Sequence, residues 1–303
     1  MGSKRVLVTG ASGLIGAAAS AELSAAGHRV LRAVRHEPRG PDERRWDPAS
    51  GQLELTESVD AVVHLAAEPL TSGRLSGEHL RRVRASRVEA TAALVRALGA
   101  QGRPPEVLVC ASAVGFYGHR PGETVDEESP RGEGLLAELC EAWEAAAATA
   151  ERFGIRRVSL RFGVVLAPAG GALARLLPLF RAGLGGPLAG GDMVQPWLSV
   201  ADAAGIVRFA LEDPRMRGAV NAVMPENVDN ATFTRLLARA VGRPALLPVP
   251  AFALRARFGR VVADEMLLAS CDARPRRLRE LGFSFQHPNV AAALRALLPR
   301  AAA

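Results

Sequence analysis

The sequence predicts an α/β fold: a doubly wound, mostly parallel sheet with a small, mostly helical domain at its C-terminal end. Three features carry this prediction. A strand runs into a glycine-punctuated turn and a helix within the first 26 residues. Short apolar strands then alternate with longer helical stretches, the pattern of a parallel sheet covered on both faces. After Pro248 and Pro250 the alternation gives way to short, arginine-rich helical segments. The expected division is therefore 1–248 and 249–303.

The opening stretch Val6-Leu7-Val8-Thr9-Gly10-Ala11-Ser12-Gly13-Leu14-Ile15-Gly16 supplies the strand and turn, and an alanine-rich helix continues to Ala26. Gly10 permits a tight turn, Gly13 lets the backbone approach a pyrophosphate, and Gly16 lets the helix lie close to the strand. The helix start offers unpaired N–H groups and the positive end of its dipole to phosphates. With a second strand following at Arg29–Val34, this setting reads as a Rossmann-type dinucleotide site and not as an ordinary glycine turn. The residue after that strand selects the coenzyme. A carboxylate there would take a ribose 2′-hydroxyl. Here it is Arg35, with Arg32, His36 and Arg39 nearby. Guanidinium forks match phosphate oxygens in pairs, so NADP(H) is expected over NAD(H).

Further apolar strands are expected at 60–67, 107–111, 156–166, 219–223 and 245–249. Helices are expected at 77–98, 135–153 and 231–241, with another ending near Leu211. His64 lies within an apolar run and reads as a core residue. Residues 118–134 read as a polar, acidic loop, and the glycine-rich stretch from Gly183 as loop. Gln195 and Trp197 either wall a substrate pocket or pack in the core.

Composition bounds the function classes. The 303 residues are 49% apolar and 23% charged, as in a globular protein. The net charge is +7 and the isoelectric point about 10.6, but the arginines are scattered, with no basic block and few aromatics. That speaks against nucleic acid as a partner. Cys110, Cys140 and Cys271 stand far apart, which excludes a disulfide framework and a zinc pattern. No apolar run reaches the ~18 residues of a membrane span, and the first strand begins almost at once. A cytoplasmic protein with a small-molecule substrate is expected.

Taken together, these motifs resemble an extended short-chain dehydrogenase/reductase (SDR), and more closely the atypical epimerase-family branch. The resemblance runs over nearly the whole chain. It includes His64-Leu65-Ala66-Ala67-Glu68-Pro69, Ser86-Arg87, Phe162-Gly163-Val164-Val165-Leu166, the stretch from Leu179 to Pro187, Pro196-Trp197, and a tail like the branch's DUF1731-like domain. The resemblance implies NADP(H) contacts at Gly10, Ser12, Gly13, Leu14, Ile15, Gly16, Arg35, Leu65, Ala66, Arg87 and Val165. It also allows a homodimer, since extended relatives often pair through two helices.

SDR chemistry uses a tyrosine acid and a lysine four residues later, on one helix face. The ammonium lowers the phenol pKa there. Aligned on Trp143-Glu144, those places fall on Leu136 and Cys140, which can do neither job. Ser112 matches the family's serine, and Arg87 stands where asparagine is frequent. Tyr117, the one tyrosine, follows Ser112 on what reads as a loop at the strand's carboxyl end and is the candidate replacement acid. Two functions stay open: an NADP(H)-dependent oxidoreductase or epimerase with another proton donor, and a non-catalytic NADP(H) redox sensor or scaffold.

Overall fold

A computed structural model describes residues 2–71 and 75–298. The chain opens with β1 (Arg5–Thr9), α1 (Leu14–Ala25), β2 (Arg29–Val34), β3 (Glu43–Asp47), β4 (Gln52–Leu53) and β5 (Ala61–His64). Helices α2 (Gly77–Arg84) and α3 (Ala90–Gly99) are joined through one π-helical turn at Ala85–Glu89. Then come β6 (Val107–Ala113), β7 (Arg120–Val125), α4 (Leu135–Ala148), β8 (Arg156–Phe162), β9 (Val164–Ala167) and α5 (Gly171–Arg181). The remainder of the first expected division holds β10 (Val194–Gln195), β11 (Trp197–Ser199), α6 (Val200–Glu212), β12 (Gly218–Ala222), β13 (Val228–Asp229) and α7 (Asn230–Val241). The tail contains α8 (Ala251–Phe258), α9 (Arg260–Val262), β14 (Cys271–Ala273), α10 (Arg276–Glu280) and α11 (Val290–Leu297).

Eight strands form the central sheet in the order β12-β8-β6-β5-β1-β2-β3-β4, all parallel except the β3–β4 pair. The chain leaves β1 toward β2 and returns on β1's other side as β5. That reversal opens a crevice at the carboxyl ends of β1 and β5, the place where ligands bind in such sheets. Strand residues alternate between the faces. Val6, Val8, Val63, Val109 and Leu160 pack on one side with Ala19 and Leu23 of α1 and Ile206 of α6. Leu7, Val62 and Leu108 pack on the other with Leu94 and Leu98 of α3 and Trp143 of α4.

Three local expectations are corrected. Residues 156–166 are two strands: at Gly163 the chain leaves the central sheet, and β9 pairs with β11 instead. A Cβ on Gly163 would lie 2.5 Å from the Pro196 carbonyl oxygen, so only glycine allows this crossing. Residues 118–134 contain β7, whose mostly exposed residues hide its strand character. Its partner β14 comes from the tail. No strand forms at 245–249, where two nearby prolines lack ladder N–H groups and Val249 makes a single bridge to Leu188. The tail packs on the rest of the chain: Leu278 joins the core beside the sheet, and Val290 and Leu294 pack among residues of α5 and α7.

Asp202, with no exposed surface, fastens the last segment. Its carboxylate accepts hydrogen bonds from the Ser199 hydroxyl at 2.7 Å and from the backbone N–H groups of Gln286 and His287 at 2.7 and 3.0 Å. Replacing Asp202→Ala leaves the partly buried N–H groups of Gln286 and His287 without their acceptor. The expected loss is about 2–3 kcal/mol of stability, read by denaturant unfolding, with proteolysis starting in the C-terminal segment. An unchanged midpoint would contradict this role.

Candidate functional site

The glycine turn is set by backbone packing. Gly10 has φ +69° and its virtual Cβ would lie 2.8 Å from the Ala66 nitrogen. A Cβ on Gly16 would lie 2.0 Å from the Gly10 carbonyl oxygen. Both positions are therefore closed to any side chain, and Leu65-Ala66 rides directly on the turn. Gly13 caps α1 with no side-chain hydrogen bond, leaving the helix N-terminus open to an anion. The turn and helix start fit a pyrophosphate. Leu14 reaches Gly170 and Gly171, and the Val165 carbonyl borders the same spot.

A buried polar chain holds the two crevice walls together. The Thr9 hydroxyl oxygen accepts the N–H groups of both Leu65 and Ala66 at 3.2 Å. With its acceptor positions filled, its proton points to His64 Nδ1, 2.7 Å away. His64 Nε2 therefore carries the ring proton and faces Thr91 Oγ1 at 3.1 Å, which also accepts from Trp143 Nε1 at 3.0 Å. Burial pushes the His64 pKa down to about 4, so the ring stays neutral. His64 is the satisfied core residue that the apolar run implied.

Arg35, just past β2, is exposed and makes no ion pair or side-chain hydrogen bond among the described residues. Its neighbours differ. Arg29 pairs with Asp42 at 3.1 Å, Arg32 with Glu43 at 3.3 Å and Arg44 with Glu57 at 2.6 Å. Glu37, the nearest acid along the chain, is taken by Arg45. Arg87 sits buried on the π-helical turn, 5.2 Å from the Trp143 ring. It donates to the Glu68 carbonyl at 2.8 Å and so fastens the segment after Ala66.

Leu136 and Cys140 pack as inert residues beside the turn that carries Tyr117, and only Tyr117 is placed otherwise than expected. Leu136 packs with Leu75, Val83 and Val262. Burial pushes the Cys140 thiol up to about 12, which makes it inert at neutral pH. Tyr117 does not face the crevice from a loop: its side chain is wholly buried at the end of a 3₁₀ turn, Val114–Tyr117. Its hydroxyl donates to Asn221 Oδ1 at 2.7 Å and accepts from Arg161 Nη1 at 2.9 Å. Arg161 in turn grips Glu144 with two hydrogen bonds of 2.7 and 2.8 Å, and Ser112 donates to Glu144 Oε1 at 2.7 Å. Trp197 is not a pocket wall but stacks on Phe233 in the core, ring centroids 4.0 Å apart. Gln195 is buried and donates to the Leu267 carbonyl.

Sequence reasoning missed Arg161 as the partner of Glu144, although the signal exists. A charged residue in an otherwise apolar strand such as Val158-Ser159-Leu160-Arg161-Phe162 needs a buried counter-charge. An acid in the alanine-rich helix α4 can supply it.

Burial pushes the Tyr117 phenol up to about 12. As Tyr117 is the one tyrosine, phenolate absorbance titrates it directly. No phenolate should form until pH approaches 12, against an ordinary tyrosine near 10. A pKa raised on folding adds stability below the unfolded value, and that stability drains as pH climbs from about 10 to 12. A midpoint at 10 would contradict the burial.

Comparison with known proteins agrees with this geometry. The model of the NAD dependent epimerase/dehydratase family matches residues 6–223, and that of DUF1731, a domain of unknown function, matches 249–297. The chain is 43% identical over 297 residues to epimerase family protein Mb2239 of Mycobacterium bovis, covering 97% of each. It is 37% identical to epimerase family protein SDR39U1 of Homo sapiens, covering 97% of this chain and 99% of that one. The crystal structure of human SDR39U1 (isoform 2) with NADPH superposes with a TM-score of 0.90 at 36% identity, covering 98% of this chain and all of that one. No helix of the described residues is long and apolar enough to cross a membrane. A Rossmann-type sheet, a glycine turn shaped for a pyrophosphate and these full-length matches make the chain a member of the NAD dependent epimerase/dehydratase family, in its atypical SDR branch.

Proposed function

We propose that the protein is an NADP(H)-dependent oxidoreductase or epimerase, acting on a small carbonyl compound or a nucleotide-sugar-like substrate. Its proton route does not use the Tyr-x-x-x-Lys pair. The observation that carries the coenzyme half is Arg35, which extends past the β2 end with no carboxylate partner. Arg29, Arg32 and Arg44 are neutralised by carboxylates, whereas exposed Arg39, like Arg35, has no ion pair among the described residues. A guanidinium held open beside the ribose site suits a 2′-phosphate, and the similarity to a relative solved with NADPH supports the same choice.

In this reading Gly10, Ser12, Gly13, Leu14, Ile15 and Gly16 cradle the pyrophosphate. Leu65, Ala66 and Val165 border the coenzyme further along, and Arg87 holds the segment that covers it. The bound nicotinamide supplies or accepts the hydride. Ser112 lies buried at the carboxyl end of β6, bonded to Glu144, and in this reading the bound substrate brings its oxygen to that hydroxyl. The packed position of Tyr117 makes it a support for Arg161 and not the acid that meets substrate.

A second reading, a non-catalytic NADP(H) sensor or scaffold, is favoured by the packing of Leu136 in an apolar cluster and the inert, buried Cys140 thiol, the two residues that the family resemblance aligns with the usual acid and its helper. Turnover separates the two. The oxidoreductase reading expects NADPH consumption with at least one member of a carbonyl panel, whereas tight NADPH binding with no turnover would favour the sensor.

Coenzyme choice has its own test. Arg35→Asp should weaken NADPH binding by about 10–100-fold, the worth of a charge-assisted pair, and NADH binding far less. Equal loss for both coenzymes, measured by calorimetry, would remove Arg35 from the phosphate site.

A further inference from the structure

Ser112 Oγ has one proton and two lone pairs. The proton is committed to Glu144 Oε1, 2.7 Å away. Glu144 accepts three hydrogen bonds in all: one from Ser112 and two from the Arg161 fork at 2.7 and 2.8 Å. Serine and carboxylate are thus joined as donor and acceptor, and what Ser112 can offer an incoming molecule is its lone pairs. A substrate hydroxyl fits that arrangement as a donor. A carbonyl oxygen, which only accepts, does not fit it in this protonation state.

Glu144 lies one helical turn beyond Cys140 on α4, where (i, i+4) positions share a face. It is therefore one turn displaced from the position of the absent lysine. The side chains of Glu144 and Arg161 are 11% and 5% exposed, so the pair is screened little by solvent. Arg161 is held from the far side by the Tyr117 hydroxyl and by the face of Phe116, 3.5 Å from its ring centroid. Tyr117 is held in turn by Asn221, whose amide donates to the Arg274 carbonyl of the tail. The chain of bonds fixes the carboxylate behind the serine with no freedom to swing away.

Resting on the oxidoreductase reading above, we propose that Glu144, reached through Ser112 and held by Arg161, takes up and returns the substrate proton in place of the tyrosine–lysine pair. In the oxidation direction the substrate's O–H proton passes to Ser112 Oγ while the Ser112 proton passes to Glu144. The carbinol hydrogen leaves with its electron pair as hydride to the oxidised pyridine coenzyme. The balance is an alcohol, NADP⁺ and a carboxylate going to a carbonyl compound, NADPH and a carboxylic acid. Reduction runs the same bonds in reverse. Around Glu144 stand Arg161 from β8, Ser112 and Cys110 from β6, and Cys140 on its own helix. Tyr117 and Arg87 stand one residue further out.

The test has a catalytic and a substrate-free arm. Wild type, Glu144→Gln, Glu144→Asp and Ser112→Ala are assayed with NADP⁺ against a panel of secondary alcohols and UDP-sugars across pH, with melting curves and NADPH binding recorded for each. Glu144→Gln and Ser112→Ala should lower turnover by about 10²-fold or more, the usual worth of general acid–base help, with NADPH binding retained. Glu144→Asp should restore part of it. Oxidation by wild type should rise with pH along an acidic limb that vanishes in Glu144→Gln. Should the buried Arg161 charge prevent that variant from folding, the double variant Glu144→Gln/Arg161→Gln removes both charges and serves in its place.

Without substrate, Glu144→Gln leaves the Arg161 charge unbalanced and should move the Tyr117 phenolate titration down by about one unit. Turnover equal to wild type, a retained acidic limb or an unmoved Tyr117 titration would each overturn the role of Glu144 alone. A wild type that binds NADPH yet turns over nothing in either direction would instead overturn the oxidoreductase reading on which this role rests.

Discussion

The structure depends on one close approach of backbone to backbone. The Gly10 carbonyl lies where a Gly16 side chain would begin, and Gly10 itself presses on the amide of Ala66. Three segments far apart in function (a strand end, a helix start and the mouth of the neighbouring strand) are thereby locked at contact distance. The hydrogen bonds from Leu65 and Ala66 to Thr9, backed by neutral His64, hold the third segment against the first two. Everything placed around the crevice takes its position from that contact: the open α1 terminus, the Leu14 side chain over Gly170 and Gly171, and the Arg87-bound segment beyond Ala66.

The second organising feature is electrostatic. A sheet buried on both faces tolerates a guanidinium only where something answers its charge. Arg161 is answered on one side by Glu144 and supported on the other by Tyr117, Asn221 and a carbonyl of the tail. The same chain of bonds therefore runs from Ser112, at the carboxyl end of β6, to the C-terminal segment. The tail contributes to the placement of the site residues from behind, through β14 beside β7 and through Leu278 in the sheet's own core.

The sheet and the glycine turn were legible because each has a local signature: short apolar runs alternating with helical stretches, and fixed glycine spacing. What escaped has no such signature. β7 has exposed residues and a partner nearly 150 positions away, so nothing in its own stretch announces a strand. Gly163 lies inside a stretch that reads as one strand, yet it moves the chain into another sheet. Tyr117 was visible as the lone tyrosine after Ser112, but its orientation depends on Arg161 and Asn221, which arrive from β8 and β12. The same holds for Glu144. Aligned on the helix it marks a register, and only the strand packed beneath gives it a charge to meet and a serine to hold.

The central claim is that an NADP(H) pyrophosphate rests on the Gly10–Gly16 turn. Amide hydrogen exchange of the wild-type chain, with and without NADPH, addresses it most directly. The account predicts slowed exchange at residues 10–17 and at Leu65 and Ala66 when NADPH is present. Exchange unchanged in those segments at saturating NADPH, or protection confined to another part of the molecule, would contradict it.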